Sequence, residues 1–327
     1  MRVGRTLSFI VLALAALVCR APLDPAHALD KVHAGTAVAL WAFLPLQVGQ
    51  EQGIWQKYGI DLDITNNGSD AKLQQALTAG SIDFGLGSGA AMAFAAKGAP
   101  VHAVAAFAGD PRTVTIIVAQ DSPVKGPSDL KGKLVVMPGV GSVSEWLVWQ
   151  MAIQQGWGKD GIRTAGQGSI AANVAAIKTH QADAMTGPPE VGYLLEKQGE
   201  GHVAFSLAQF APHFHAHVIF ARNDLIQNNP DLVTRFLKGF FAGIAYMKTH
   251  KAETTALAVR ELKNTPDIMN RIYDELAPWL ESDGHFDPQA IDVLKKSFVD
   301  MGILDKEPAT EDIITTKFVP VSLGTKP

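Results

Sequence analysis

Residues 81–91 read SIDFGLGSGAA, with glycines at 85, 87 and 89. Backbone N–H groups bared by glycines at the start of a helix cradle anions, and a similar strand, turn and helix mark dinucleotide sites. A second turn of this kind, Pro138-Gly139-Val140-Gly141-Ser142, precedes another helical stretch. The dinucleotide reading fails twice. It wants an acidic residue about twenty positions on to hold a ribose, and residues 105–109 are Ala-Ala-Phe-Ala-Gly, with Asp110 too late. The fingerprint also belongs to the first strand of its sheet, whereas this strand comes third. Gly87, Ser88 and Gly89 therefore read as a nest for a compact anionic head, such as a sulfonate, carboxylate or nitrate, with Gly141 and Ser142 offering a second nest opposite. Each helix end would contribute about 1 kcal/mol, and closure would be driven by the ligand.

Other residues carry chemistry at the same rim. Trp41 and Phe43 follow a predicted strand, and either wall a pocket or pack in the core. Arg112, in Asp110-Pro111-Arg112-Thr113, is either a bidentate partner for an anion or the partner of a nearby carboxylate such as Asp110. Thr186-Gly187-Pro188-Pro189-Glu190 follows a short strand. Glu190 either turns away as a carboxylate at a helix N-terminus or meets an amino group or pyrimidine edge. His213, His215 and His217 alternate, so an extended backbone puts them on one face. The spacing suits zinc, a polar cleft wall or hinge, or nothing at all. No local carboxylate or cysteine completes a metal shell, so no metal is expected, and His213 is taken as a ligand contact.

No G-x-S-x-G elbow, H-E-x-x-H pair or P-loop occurs, so the chain reads as a non-enzyme without a cofactor. Arg2 and Arg5 precede an apolar run over 7–18, and Ala26-His27-Ala28 supplies a small-x-small cleavage pattern. Residues 1–28 thus read as an export signal cleaved near Ala28, since the run falls short of the ~20 residues a membrane span needs. Cys19, the one cysteine, lies inside it, so the mature chain would hold no thiol. The full chain has 28 Lys+Arg and 32 Asp+Glu; without Arg2, Arg5, Arg20 and Asp24 the counts are 25 and 31, a net of −6. With no basic stripe to neutralise phosphates, no nucleic-acid partner is expected.

The elements that position these residues alternate. Residues 31–40 read as a strand, 44–57 as a helix, 60–65 as a strand, 70–78 as a helix, 82–85 as a strand and 90–97 as a helix, the pattern of a mostly parallel sheet flanked by helices. Ligands in such sheets bind beyond the carboxyl ends of the strands. A second unit follows: strands over 113–119 and 133–137, then a helix over 143–155. A faint echo links the two, because Ala76-Leu77, Asp83 and Gly87 match Ala176-Ile177, Asp183 and Gly187 at a constant offset of one hundred. After a last strand over 217–222 come helices over 230–250, 251–263, 267–280 and 288–301, two of them opened by Asn229-Pro230-Asp231 and Asp287-Pro288. Leu232, Phe236, Leu237, Phe240, Phe241, Ile244 and Met247 form a core stripe along the first of these.

ALWAFLPLQVGQEQGIWQKYGIDLDI, KLQQALTAGSIDFGLGSGAA, DLKGKLVVMPGVGS and NPDLVTRFLKGFFAGIAYM together resemble the periplasmic solute-binding proteins for sulfonates, taurine and nitrate, a family that includes thiamine-pyrimidine-type binding proteins and synthases. The resemblance runs in order along the mature chain. It implies a periplasmic-binding-protein fold of two α/β lobes joined by two crossings, with residues 29–110 and 219–327 in one lobe and 111–218 in the other. It also implies a small anionic solute held between the lobes, with a pyrimidine-like or aromatic solute as the alternative. The partner implied is an ABC-transporter permease, and the form is a periplasmic monomer. The synthase relatives' cysteine-rich motif does not occur in this sequence.

Overall fold

A computed structural model describes residues 28–139 and 142–324; residues 1–27 of the proposed export signal and the Val140-Gly141 part of the second turn lie outside them. Ten strands follow in chain order: β1 (Asp30–Thr36), β2 (Ile60–Asn66), β3 (Phe84–Ser88), β4 (Val101–Ala108), β5 (Thr115–Ala119), β6 (Leu134–Met137), β7 (Arg163–Gly166), β8 (Ala184–Gly187), β9 (Gly201–Ser206) and β10 (His217–Arg222). They build two five-stranded sheets, ordered β2-β1-β3-β10-β4 and β7-β6-β8-β5-β9.

Each sheet is mixed. Its first three strands are parallel; the other two ladders are antiparallel. The reason lies in the two crossings. Parallel strands β3 and β8 end at the rim, whereas the strands that follow a crossing start there: His217 opens β10 opposite Ser88, and Thr115 opens β5 opposite Gly187. They must therefore run the other way.

The offset of one hundred is structural. The helices Asp70–Thr78 and Ile170–Lys178 are capped by Ser69 and Ser169, whose hydroxyls accept the N–H groups of Lys72 (3.3 Å) and Ala172 (3.1 Å). Gly68 and Gly168 precede them, both at φ 82°. Asp83 Oδ2 accepts the His33 N–H at 2.9 Å, and Asp183 Oδ2 accepts that of Leu134 at 2.8 Å. Each carboxylate also holds a cation, Arg222 at 3.2 Å and Lys133 at 3.1 Å.

The helix Pro230–Thr249 lays its apolar stripe on the first sheet, where Phe236 stacks on Phe84 with ring centroids 3.9 Å apart. Burying so many large side chains on one face supplies much of the driving force for this half of the fold. Among the described residues no helix is long and apolar enough to cross a membrane.

Candidate functional site

The glycines of 85–89 are there for packing. Gly85 and Gly87 lie inside β3, and alternate strand residues point to one face. A Cβ on Gly85 would sit 2.9 Å from Leu77 Cδ1, and one on Gly87 would sit 2.5 Å from Asp70 Oδ1. A Cβ on Gly89 would meet the His215 carbonyl oxygen at 2.0 Å. The space beside Gly87 belongs to a carboxylate of the chain itself. Asp70 Oδ1 accepts the Ser88 N–H (3.0 Å), and Oδ2 accepts the Ser88 hydroxyl (2.8 Å). The Gly89 N–H donates to Ala216 O at 3.1 Å. The expectation of free N–H donors at Ser88 and Gly89 is thus corrected: the nest exists, and an internal anion fills it.

The two turns do meet. Asp70, Ser88 and Phe94 share a cavity of about 330 Å³ with Ser142, Ser144 and Ile303. Ser142 caps the helix Val143–Gln154 by accepting the Glu145 N–H (3.4 Å), and its hydroxyl donates to Gly139 O (2.8 Å). Gly141 lies outside the described residues. In the second lobe a Cβ on Gly187 would meet only apolar atoms, Ile117 Cδ1 at 3.0 Å, Met185 Cε at 3.2 Å and Ile170 Cδ1 at 3.9 Å, and the Gly187 carbonyl accepts the Thr115 hydroxyl at 2.8 Å.

Farther along the rim, polar atoms are buried without partners. Trp41 is 2% exposed, and its Nε1 lacks a hydrogen bond; its ring meets Tyr273 edge-on at 6.1 Å. Thr186 is fully buried with its hydroxyl unpaired. His217 sits among Phe43 (5.0 Å), Phe107 (5.9 Å) and Trp279 (6.0 Å). Its ring nitrogens have no side-chain partner, and burial, only partly offset by the Gly87 backbone, pushes its pKa down to about 4, so the ring is neutral. Phe43 is itself buried, serving as both wall and core. Glu190, in the first turn of the helix Pro189–Gln198, keeps some open surface, yet it is enclosed closely enough that burial raises its carboxyl pKa. Buried polar groups of this kind ordinarily find a partner, which a ligand or an ordered water can supply.

The remaining candidates have protein partners. Arg112 grips Asp110 with Nε to Oδ1 at 2.8 Å and Nη2 to Oδ2 at 3.0 Å, and lies over Trp279 at 5.9 Å. This is the second of the two readings given for Arg112: two of its five N–H groups are spent on Asp110, where it braces the first crossing. Thr113 is half-buried in the turn of that crossing; two residues on, Thr115 lines an adjoining cavity of about 350 Å³ with Arg112 and Tyr193. His213 is exposed and pairs through Nδ1 with Asp287 Oδ2 at 3.0 Å, while His215 Nε2 accepts the Asp287 N–H at 2.9 Å. Residues 213–216 are not strand, so the alternation of the histidines does not place three rings on one face. Asp70 and Trp279 escaped the sequence reading as site residues, and His217 entered it only as one of the three alternating histidines. The available signal was the run of glycines at every second position, which in a strand means something packs close on that face.

Residues 41–254 match the family model described as NMT1/THI5 like, which is more than half of the chain. The chain belongs to the NMT1/THI5-like family. The matched stretch holds Trp41, Asp70, Ser88, Thr186, Glu190 and His217, and Trp279 lies beyond it. Curated proteins of Brucella abortus and Brucella suis, described as candidate binding proteins, are 28% identical over 214 residues, covering 63% of this chain and 63% of each relative. The chain thus spans less than two thirds of their length. Among solved structures, the periplasmic aliphatic sulphonate binding protein SsuA from Escherichia coli superposes with a TM-score of 0.75 at 19% identity, covering 91% of this chain and 95% of that one. The periplasmic nitrate-binding protein NrtA from Synechocystis PCC 6803 gives 0.58 at 19% identity, covering 75% and 70%. At these identities the likeness is one of fold.

Proposed function

We propose that this chain is the extracytoplasmic receptor of an ABC-type importer, exported by residues 1–28 and handing its solute to a membrane permease as a periplasmic monomer. Residues 29–110 with 219–327 would form one jaw and 111–218 the other. The observation that carries the reading is the pair of equivalent five-stranded sheets whose parallel strands β3 and β8 end beside the two crossings, with Trp41, Thr186 and His217 carrying buried polar atoms without side-chain partners near those strand ends.

A small anionic solute fits the side-chain donors of Trp41, Thr186 and neutral His217, which can hold an anion without a formal positive charge, and sulfonate- and nitrate-binding proteins share the fold. A second reading, a planar pyrimidine-like or aromatic solute, is favoured by the aromatic walls of Phe43 and Trp279 and by the Glu190 carboxyl.

Native mass spectrometry of protein freshly purified from the periplasm tests the proposal. A single small adduct is expected, followed by thermal stabilisation on adding the identified compound; at a hundred times Kd that stabilisation is about 2.7 kcal/mol. No adduct, and no shift with sulfonates, nitrate, aromatic acids or pyrimidines, overturns it.

A further inference from the structure

We propose that Asp70 is the polar anchor of the first jaw, and that the solute held in the crevice turns a protonated amine toward it. This rests on the receptor reading above and adds the chemical class of one end of the solute.

Asp70 is enclosed deeply enough for burial to raise its carboxyl pKa against the lowering pull of the two Ser88 bonds. No Lys, Arg or His among the described residues forms an ion pair with it. Buried carboxylates are ordinarily matched by a cation of the protein, because withdrawing the charge from water is costly. Asp83 and Asp183, beside the same two sheets, each have one.

Its two oxygens each accept one bond from Ser88, and each retains acceptor capacity. They border the cavity shared with Ser142 and Ser144 of the opposite jaw. Ser88 in turn stands opposite His217 on the neighbouring strand. A solute lying along this rim therefore spans Asp70 at one end and the His217 cage at the other.

Two structural explanations fall short. Helix capping does not need Asp70, since the Ser69 hydroxyl already accepts the Lys72 N–H. Filling the space beside Gly87 does not need a charge, since the equivalent place beside Gly187 is taken by apolar atoms, Ile117 Cδ1 at 3.0 Å, Met185 Cε at 3.2 Å and Ile170 Cδ1 at 3.9 Å. What an unpaired carboxylate adds is recognition of a positive group, and a primary ammonium brings the charge and three donors in a compact head.

The test uses paired probes that differ by one amine: taurine against ethanesulfonate, 4-aminobutanoate against butanoate, and 4-aminomethylpyridine against 4-methylpyridine. Affinities are measured by titration calorimetry on the wild-type chain and on Asp70→Asn. Asparagine can still pair with the Ser88 N–H and hydroxyl, so the rim should keep its shape. The wild type is expected to favour the amine-bearing member of at least one pair by about tenfold to a hundredfold, the range for a charge-assisted contact. Asp70→Asn is expected to remove that preference while binding the amine-free member within about threefold of wild type.

Equal affinity for both members of every pair that binds overturns the inference and leaves the receptor reading standing. So does a preference that survives Asp70→Asn. The wild-type comparison decides even if the variant fails to fold. Silence from every probe, together with no adduct in native mass spectrometry, sinks the receptor reading and Asp70's role with it.

Discussion

Arg271 lies over the ring of Tyr193, 3.5 Å from the centroid, and joins the helix Pro266–Leu276 to the helix Pro189–Gln198 of the opposite lobe. Around that stack, the Tyr193 hydroxyl donates to Glu275 (2.7 and 2.6 Å), Arg271 Nη1 reaches Glu196 (2.9 Å), and Lys197 pairs with Asp267 (2.9 Å). The exposed pairs count for little singly; the buried tyrosine hydroxyl on a carboxylate counts for more.

These bonds exist only while the lobes are together. Tyr193→Phe keeps the ring and deletes the hydroxyl, so it should favour the open form. We expect solute affinity to fall about fivefold, as about 1 kcal/mol of closure is lost, and the radius of gyration of the unliganded protein in X-ray scattering to rise. Unchanged affinity and radius would show that the clasp is ornamental.

Stability should fall in acid. His215 and His217 both have pKa values of about 4 in the folded chain because burial disfavours the charged ring, against about 6.5 when unfolded. Between those values the unfolded chain takes up protons that the native one refuses, so stability declines as pH drops from about 6.5 to about 4, by on the order of 3 kcal/mol per histidine. The raised carboxyls of Asp70 and Glu190 act in the opposite sense. Comparing wild type with His217→Phe by urea unfolding at pH 7 and pH 4.5 cancels them. The variant should lose about half of the histidine share, and an identical acid loss in both proteins would refute the assignment.

Removing an unpaired hydroxyl from a fully buried position relieves a penalty. Thr186→Val, nearly the same shape, should leave the unliganded protein as stable as wild type or up to about 1 kcal/mol more so, by thermal unfolding. Solute affinity should fall at the same time. A variant less stable when empty would mean that the hydroxyl has a partner within the protein.

Glycine positions should differ in severity. At Gly87 an added methyl meets the end of a side chain, Asp70, that can swing away; at Gly89 it meets the His215 backbone oxygen. Gly87→Ala should cost about 1–3 kcal/mol in chemical denaturation, and Gly89→Ala more. Asp70→Ala should partly rescue Gly87→Ala and do nothing for Gly89→Ala.

Much of the scaffold was legible in the chain. The helix at 70–78 and the strand at 217–222 stand where periodicity puts them, and Pro230 and Pro288 open helices as expected. β4 was invisible, because VHAVAAFA is half alanine and has only two β-branched residues, Val101 and Val104, to announce a strand; its residues are small because both of its faces are covered. The rim was only half legible. Glycines at every second position belong to a strand, and reading them as a turn assigned to an outside anion the place that Asp70 fills from eighteen residues upstream. That contact, like the aromatic cage of His217 completed by Trp279, is made by folding and leaves no local mark.

The two sheets repeat one build, and beside the third strand of each the copies differ: a carboxylate faces Gly87 where a methyl faces Gly187. A guest between such unequal walls has a preferred way round, its water-loving end to one side and its oily end to the other. The receptor would then offer its cargo to the membrane partner in a single orientation.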